Sequence, residues 1–475
     1  MDEPTEWRIE QAERFAVIVD AEAYFRVARR AMFQAKKRIM LIGWDFDARI
    51  VLDHDCAEDE GPRPVGEFIY WLVQRNPELE VYLLRWDMGA IKALFRGTTI
   101  LTVIKWMRHP RIHTRLDRHH PVGASHHQKV VVIDDCLAFC GGIDMTGDRW
   151  DTRAHLDDEP RRIQPSGKPY KPWHDASSAV CGPAAEVLGD MARHRWHIAG
   201  GTELEPIKGT GPCWPDGLSP DFENIPVRIA RTIPEMADQQ PVHESEALFM
   251  AQIAAARRHV YVESQYFASR RIAEAIARRL DEPDGPEFVV INPETAQGWL
   301  EPVAMDSART RLLEALEKRD TRGRFRLYHP YTKGGRPIYV HAKILIADDR
   351  VLRLGSSNMN NRSLRLDTEC DVAIEAQNPE DAARITAIRD DLLAEHLDVM
   401  PERVAAAIQE TGSLIAAIES LRGEGRSLRP HQAPDLNGIK TWLADNEVLD
   451  PEGPAEMFEP LSRRGLFRRR LRQPG

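Results

Sequence analysis

Several features that would settle the class of this chain are scarce or missing. Six cysteines in 475 residues (Cys56, Cys136, Cys140, Cys181, Cys213 and Cys370) are too few for a disulfide framework. None stands in a C-x-x-C pair, which argues against a zinc ribbon. No apolar run approaches the ~18 residues that a bilayer-spanning helix needs. The opening stretch MDEPTEWRIEQAERF is acidic and polar, unlike a secretory signal. A basic excess is also absent. Lys and Arg number 64 against 74 Asp and Glu, a net charge of −10, so the footprint of a general nucleic-acid binder is missing. These absences lead us to expect a soluble chain in a reducing compartment. It is read as cytoplasmic or peripherally membrane-bound, with secretion by a signal-independent route as the alternative, and without nucleic acid as a partner.

What the chain does contain is an internal repeat. The segment 127-HQKVVVIDDCLAFCGGID-144 has a gapless counterpart 214 residues on, 341-HAKILIADDRVLRLGSSN-358. Upstream, AEAYF at Ala21 pairs with SEALF at Ser245, and RIMLIGWDF from Arg38 with HVYVESQYF from His259. LEVYLLRW from Leu79 pairs with PEFVVINP from Pro286, and RIHTRL from Arg111 with RFRLYHP from Arg324. The pattern reads as helix, strand, helix, strand and hairpin, performed twice, which argues an α/β fold. Residues 1–205 form the first repeat, 206–224 a Gly- and Pro-rich linker, and 225–400 the second repeat. Residues 401–475 form a helical extension, in which VAAAIQETGSLIAAIESL reads as one amphipathic helix, followed by a basic tail SRRGLFRRRLRQPG. That tail reads as a solvated terminus, with contact to anionic lipid as the sharper alternative.

Each repeat carries H-x-K-x-x-x-x-D: His127, Lys129 and Asp134, then His341, Lys343 and Asp348. VVVI and ILIA are β-rich apolar runs, so each motif opens a buried strand. His and Lys, two residues apart, then share one face. Asp134 and Asp348 complete the motif but begin Asp-Asp pairs between apolar runs, where a hairpin turn is expected. Their main role is read as holding that turn. Fourteen residues after each His come the small pairs Gly141-Gly142 and Gly355-Ser356, where a backbone or a bound group approaches closely. Asn358, three residues beyond Gly355, can donate hydrogen bonds to a phosphoryl oxygen; its counterpart Asp144, when ionised, cannot.

One His and one Lys per repeat suggest a single site shared across a pseudo-twofold axis. Two lysines supply fixed charge for a phosphate. Two histidines divide the labour: one attacks phosphorus, and the other protonates the leaving oxygen and then activates water or an alcohol. A carboxylate on each imidazole's other nitrogen is expected. The candidates by spacing are Glu369, 28 residues after His341, and Asp157 or Asp158, about 30 after His127, of which Asp158 is chosen. Glu263 and Gln265 alternate on one strand and are candidate pocket residues, as is Ser356. Asp175 in WHD is read as structural, satisfying buried backbone. Phe95 and Trp106 lie on an apolar stripe read as core packing, with a lipid-facing rim as the alternative.

At these residues the chain resembles the phospholipase D superfamily, whose signature is the doubled H-x-K-x-x-x-x-D. GWDFD at Gly43, DRWDTRAH at Asp148, KPWHD at Lys171, VESQYF at Val262 and GSSNMNNRS at Gly355 further resemble its lipid-cleaving, eukaryotic-type branch. The resemblance implies two tandem α/β/α domains with mixed sheets around one shared site. It implies cleavage of a phospholipid head-group phosphodiester through phospho-histidine, with His127 as nucleophile and His341 as general acid. No cofactor or metal is implied. The partners it implies are a phospholipid surface and an acceptor that is water or a small alcohol. A cardiolipin-synthase-type transferase is the first rival, and a nuclease the second.

Overall fold

The computed structural model describes residues 3–87, 105–106, 108–209, 211, 213–296 and 301–432. Phe95 and the basic tail lie outside these. In each repeat three strands run parallel: Arg38–Gly43, Glu80–Trp86 and Ile112–Asp117, then His259–Glu263, Glu287–Ile291 and Phe325–Tyr331. The VVVI run becomes the strand Val130–Ile133, hairpinned to Leu137–Gly141. ILIA becomes Ile344–Ala347, hairpinned to Val351–Gly355. Both hairpins join their repeat antiparallel, and Ala176–Cys181 and Glu369–Glu375 follow.

The sequence reading did not include the strand that opens each repeat, Arg8–Val19 and Phe222–Ile233. The charged first half of RIEQAERFAVIV masks its strand character. These two strands pair antiparallel with each other, Phe15 opposite Phe222 and Arg8 opposite Ile229. They fuse the two half-sheets into one mixed sheet of 16 strands among the described residues. The architecture is therefore two tandem α/β repeats that share a sheet.

Alternation along the strands sends side chains to two sides. Val130 and Val132 pack with Ile344 and Ile346 in one core common to both repeats, under helices Pro183–Ile198 and Pro379–Leu397. Val131 and Ile133 enter a separate core of the first repeat, and Leu345 and Ala347 one of the second. The second helix is capped by the Asn378 side chain, which accepts from Glu380 and Asp381 N–H, with Pro379 at the first helical position. The expected single helix over Val404–Leu421 is instead two, Pro401–Thr411 and Leu414–Leu421. Gly412 adopts a left-handed φ of 67° and Ser413 caps the second helix, a stop and a start in adjacent residues. Trp106 is fully buried, with Nε1 donating to the Gly66 carbonyl, so it belongs to the core. Among the described residues no helix is long and apolar enough to cross a membrane.

Candidate active site

Each H-x-K stands in the extended approach to its strand, and each Asp stands beyond the strand's far end. Asp134 and Asp135 have φ of 51° and 54°, Asp348 and Asp349 of 53° and 59°, the left-handed pair of a tight hairpin turn. The Asp134 carboxylate accepts from the N–H of Lys36, Lys37 and Arg38 at 2.7–2.8 Å. Asp348 does the same for Arg257, Arg258 and His259 at 2.7–3.0 Å. Seven residues of extended chain, roughly 23 Å, separate each Asp from its His. Both aspartates clamp the entry to the first parallel strand and take no part in the group formed by the histidines.

His127 and His341 face each other across the repeats, ring centroids 6.5 Å apart. Their carboxylate partners are crossed. His127 Nδ1 lies 2.9 Å from Glu369 Oε1, and His341 Nδ1 lies 2.7 Å from Asp175 Oδ2. Sheet register explains the crossing. Gly141 is opposite Ser177 and Gly355 is opposite Asp371, so Asp175 and Glu369, each two residues earlier, occupy equivalent places. The backbone repeats the pattern: His127 N–H donates to Thr368 O at 3.0 Å and His341 N–H to His174 O at 2.7 Å. Each repeat therefore lends its carboxylate and a carbonyl to the histidine of the other. Asp175 stands 48 residues after His127, but Glu369 only 28 after His341. The long loop 145–172 in the first repeat hid the equivalence, and the WHD segment was the available signal.

The lysines complete the pocket. Lys129 Nζ donates to His127 O at 2.7 Å and lies 3.3 Å from Asp144 Oδ2. Lys343 Nζ donates to His341 O and, at 3.3 Å, to Gln265 Oε1. Burial draws both imidazoles well below their ordinary value. Lys129 and Lys343 add to this at His127, and Lys343 and Arg149 at His341. Burial raises Glu369 well above the carboxylate range and pushes Asp175 up to about 6, where Lys343 and the Ala176 N–H pull it back. Burial also brings Lys343 down to about 7.

The remaining sequence candidates separate into two groups. Asn358 is buried beside the site, its Nδ2 3.5 Å from Gln265 Oε1, and its Oδ1 has no hydrogen-bond partner. Gln265 also reaches Tyr339 Oη, at 2.9 Å. Ser356 is not placed as a substrate contact: its Oγ donates to Glu369 Oε2 at 2.5 Å, orienting that carboxylate. Glu263 does not face the pocket; it lies fully buried behind it against His174 and His396. Asp158 is misassigned. Its side chain is 90% exposed, 3.4 Å from Arg336, while Glu369 and not Asp158 is the carboxylate on His127. Its neighbour Asp157 instead accepts from Gly334 N–H at 2.7 Å, tying the long loop to the second repeat.

Behind the site Asp20, His155, His174 and Glu395 form a buried group with metal-ligand chemistry. Their imidazole nitrogens lie 2.7 and 3.0 Å from Glu395 Oε1. Those are hydrogen-bond lengths, so the group reads as an ionic network. The sequence reading did not select Glu395, which arrives from the helix Pro379–Leu397.

Residues 31–210 match the family model described as phospholipase D, and residues 249–391 the one described as cardiolipin synthase, PLD-like domain. The chain belongs to the phospholipase D superfamily. Among curated relatives, phospholipase D A of Dictyostelium discoideum is 23% identical over 80% of this chain and 34% of its own length. Phospholipase D alpha 4 of Arabidopsis thaliana is 24% identical over 91% of this chain and 69% of its own. Cardiolipin synthase A of Pseudomonas putida is 26% identical over 63% and 54%. The chain thus spans about a third of the first relative's length and about two thirds of the second's. The crystal structure of phosphatidylserine synthase from Haemophilus influenzae Rd KW20 superposes with a TM-score of 0.54 at 14% identity. It covers 87% of this chain and 96% of that one, a shared fold.

Proposed function

We propose that the chain is a phospholipase D-type phosphodiesterase that cleaves the head-group ester of a glycerophospholipid, such as phosphatidylcholine, at a membrane surface. The observation that carries this reading is the opposed pair His127 and His341, each with Nδ1 held by the other repeat's carboxylate. A carboxylate on Nδ1 fixes the tautomer that leaves Nε2 for chemistry. The phosphoryl group sits between Lys129 and Lys343, with Asn358 Nδ2 as a further donor. His127 Nε2 forms the P–N bond as the P–O bond to the head group breaks, and the proton on His341 Nε2 moves to the departing alkoxide. His341 then takes a proton from water or an alcohol, whose oxygen attacks phosphorus and breaks the P–N bond. This gives phosphatidic acid with water and a phosphatidyl alcohol with an alcohol. The Dictyostelium and Arabidopsis relatives support the eukaryotic-type branch.

The test is mass spectrometry of products from mixed phospholipid vesicles incubated with a little ethanol. Phosphatidic acid with phosphatidylethanol, both lost in His127→Ala, supports the reading. No lipid product from the wild-type chain overturns it. A second reading, transfer of a phosphatidyl group to a phosphatidyl-alcohol acceptor, is favoured by the family model over 249–391 and the Pseudomonas relative. Its mark in the same experiment is cardiolipin made from phosphatidylglycerol.

A further inference from the structure

The two repeats hold their histidines alike but support them differently. Thr368, whose carbonyl receives the His127 N–H, carries a small side chain whose Oγ1 bonds His126 Nδ1 at 2.8 Å. The equivalent residue behind His341 is His174, and it is caught between acids. Its Nε2 lies 2.7 Å from Glu263 Oε2, and its Nδ1 lies 2.7 Å from Glu395 Oε1 and 3.3 Å from Asp20 Oδ1. All four side chains are buried. They come from four places: the short strand Trp173–His174, the end of the strand His259–Glu263, the helix Pro379–Leu397, and the residue before the helix Ala21–Gln34.

We propose that His174, clamped between Glu263 and Glu395, is the positioning residue that commits His341, and not His127, to protonating the leaving oxygen. The inference rests on the phosphodiesterase reading above. An ionised carboxylate only accepts hydrogen bonds, so an imidazole with carboxylates on both nitrogens carries hydrogen on both. His174 is then a fixed cation, and the three acids around it outweigh the burial that opposes its charge. That cation is joined by one peptide bond to Asp175, the partner of His341. The same network pins Asp175 in place: its N–H donates to Asp20 Oδ1 at 3.2 Å, and Asp20 N–H donates to its carbonyl at 2.8 Å. A cation beside Asp175 adds to Lys343 in favouring its ionised form, and an ionised partner favours a proton on the imidazole it faces, against the burial that opposes it. Glu369, on the His127 side, has the charge of Lys129 as Asp175 has that of Lys343, but beyond it only the neutral hydroxyls of Ser356 and Ser363. A pseudo-symmetric pair of histidines thereby becomes an acid and a nucleophile.

The test compares two phosphodiesters on one protein sample. A p-nitrophenyl ester departs without a proton, whereas a choline ester needs one. The ratio of the two rates does not depend on how much of the sample is folded. His174→Gln and the isosteric Glu263→Gln are expected to lose at least tenfold more kcat on the choline ester than on the p-nitrophenyl ester, as His341→Asn does more strongly. His127→Asn loses both. Equal losses on the two esters in both variants overturn the proposal and leave the phosphodiesterase reading standing. A wild-type chain that cleaves neither ester removes that reading and the proposal with it.

Discussion

His127 and Glu369 stand 242 positions apart in the chain and meet at 2.9 Å. The pairing of Asp175 with His341 at 2.7 Å is its mirror. The first expectation follows directly. Glu369→Gln and Asp175→Asn keep size and hydrogen-bonding capacity but lose charge. Each lowers turnover by about 10²-fold or more, the scale for the group that orients a working imidazole. Asp158→Asn, on an exposed side chain, leaves it unchanged. The measurement is steady-state release of choline from phosphatidylcholine vesicles, where the leaving group needs a proton. A fully active Asp175→Asn would contradict the crossed arrangement.

Residues that act as a unit are not additive. The double variant His127→Ala with Glu369→Gln is expected to be no slower than His127→Ala alone, because the carboxylate has lost the imidazole it serves. His127→Ala with Asp175→Asn crosses between the two pairs and should be slower still. A double-mutant cycle on the residual turnover, normalised to the folded fraction by circular dichroism, distinguishes the two.

Lys343 carries a stability cost that varies with pH. Burial brings its amine from the usual 10.5 down to about 7. A base held lower in the folded chain takes up a proton on unfolding, so stability rises with pH from about 7 to about 10.5, and the full cost is carried below 7. At ~1.4 kcal/mol per unit, Lys343→Met should stabilise the protein by a few kcal/mol at pH 6–7 and by little near pH 10.5. Urea melts across this range check it. A destabilised variant at pH 6 would mean that the lysine's contacts to His341 and Gln265 outweigh its burial.

The motif aspartates behave differently from the motif histidines. Asp348→Ala strands three backbone N–H groups that it now receives. It should cost about 1–3 kcal/mol per buried donor left unmade, less where water reaches them. Turnover per folded molecule should stay near normal. Thermal unfolding paired with active-site titration separates these effects. A stable but inactive Asp348→Ala would put the aspartate in the chemistry after all.

Local pattern made much of this legible. VVVI and ILIA announce buried strands, and the gapless spacing of 214 announces two equivalent halves, whose His127 and His341 face each other with ring centroids 6.5 Å apart. What spacing concealed was anything decided by pairing between repeats. Asp158 fits by spacing, since Glu369 lies 28 residues after His341, but the loop 145–172 displaces the equivalent carboxylate to Asp175. Glu263 alternates with Gln265 on paper, yet only Gln265 faces the lysine. The strand ends between them, so simple alternation no longer applies. Residues 404–421 read as one helix because the apolar stripe survives the break at Gly412. The acids around His174 have no local sign at all, since they come from residues 20, 263 and 395.

The pairing of Arg8–Val19 with Phe222–Ile233 has a consequence for ancestry. A lone repeat would hold a histidine with no carboxylate of its own and a carboxylate with no histidine, and its long first strand would be an unprotected edge. Both defects disappear when two copies meet head to head. The half-length unit is self-complementary, as a twofold homodimer requires. Joining two such units in one chain replaces a concentration-dependent encounter with a permanent one. It also frees the halves to diverge, one toward Thr368 and the other toward His174.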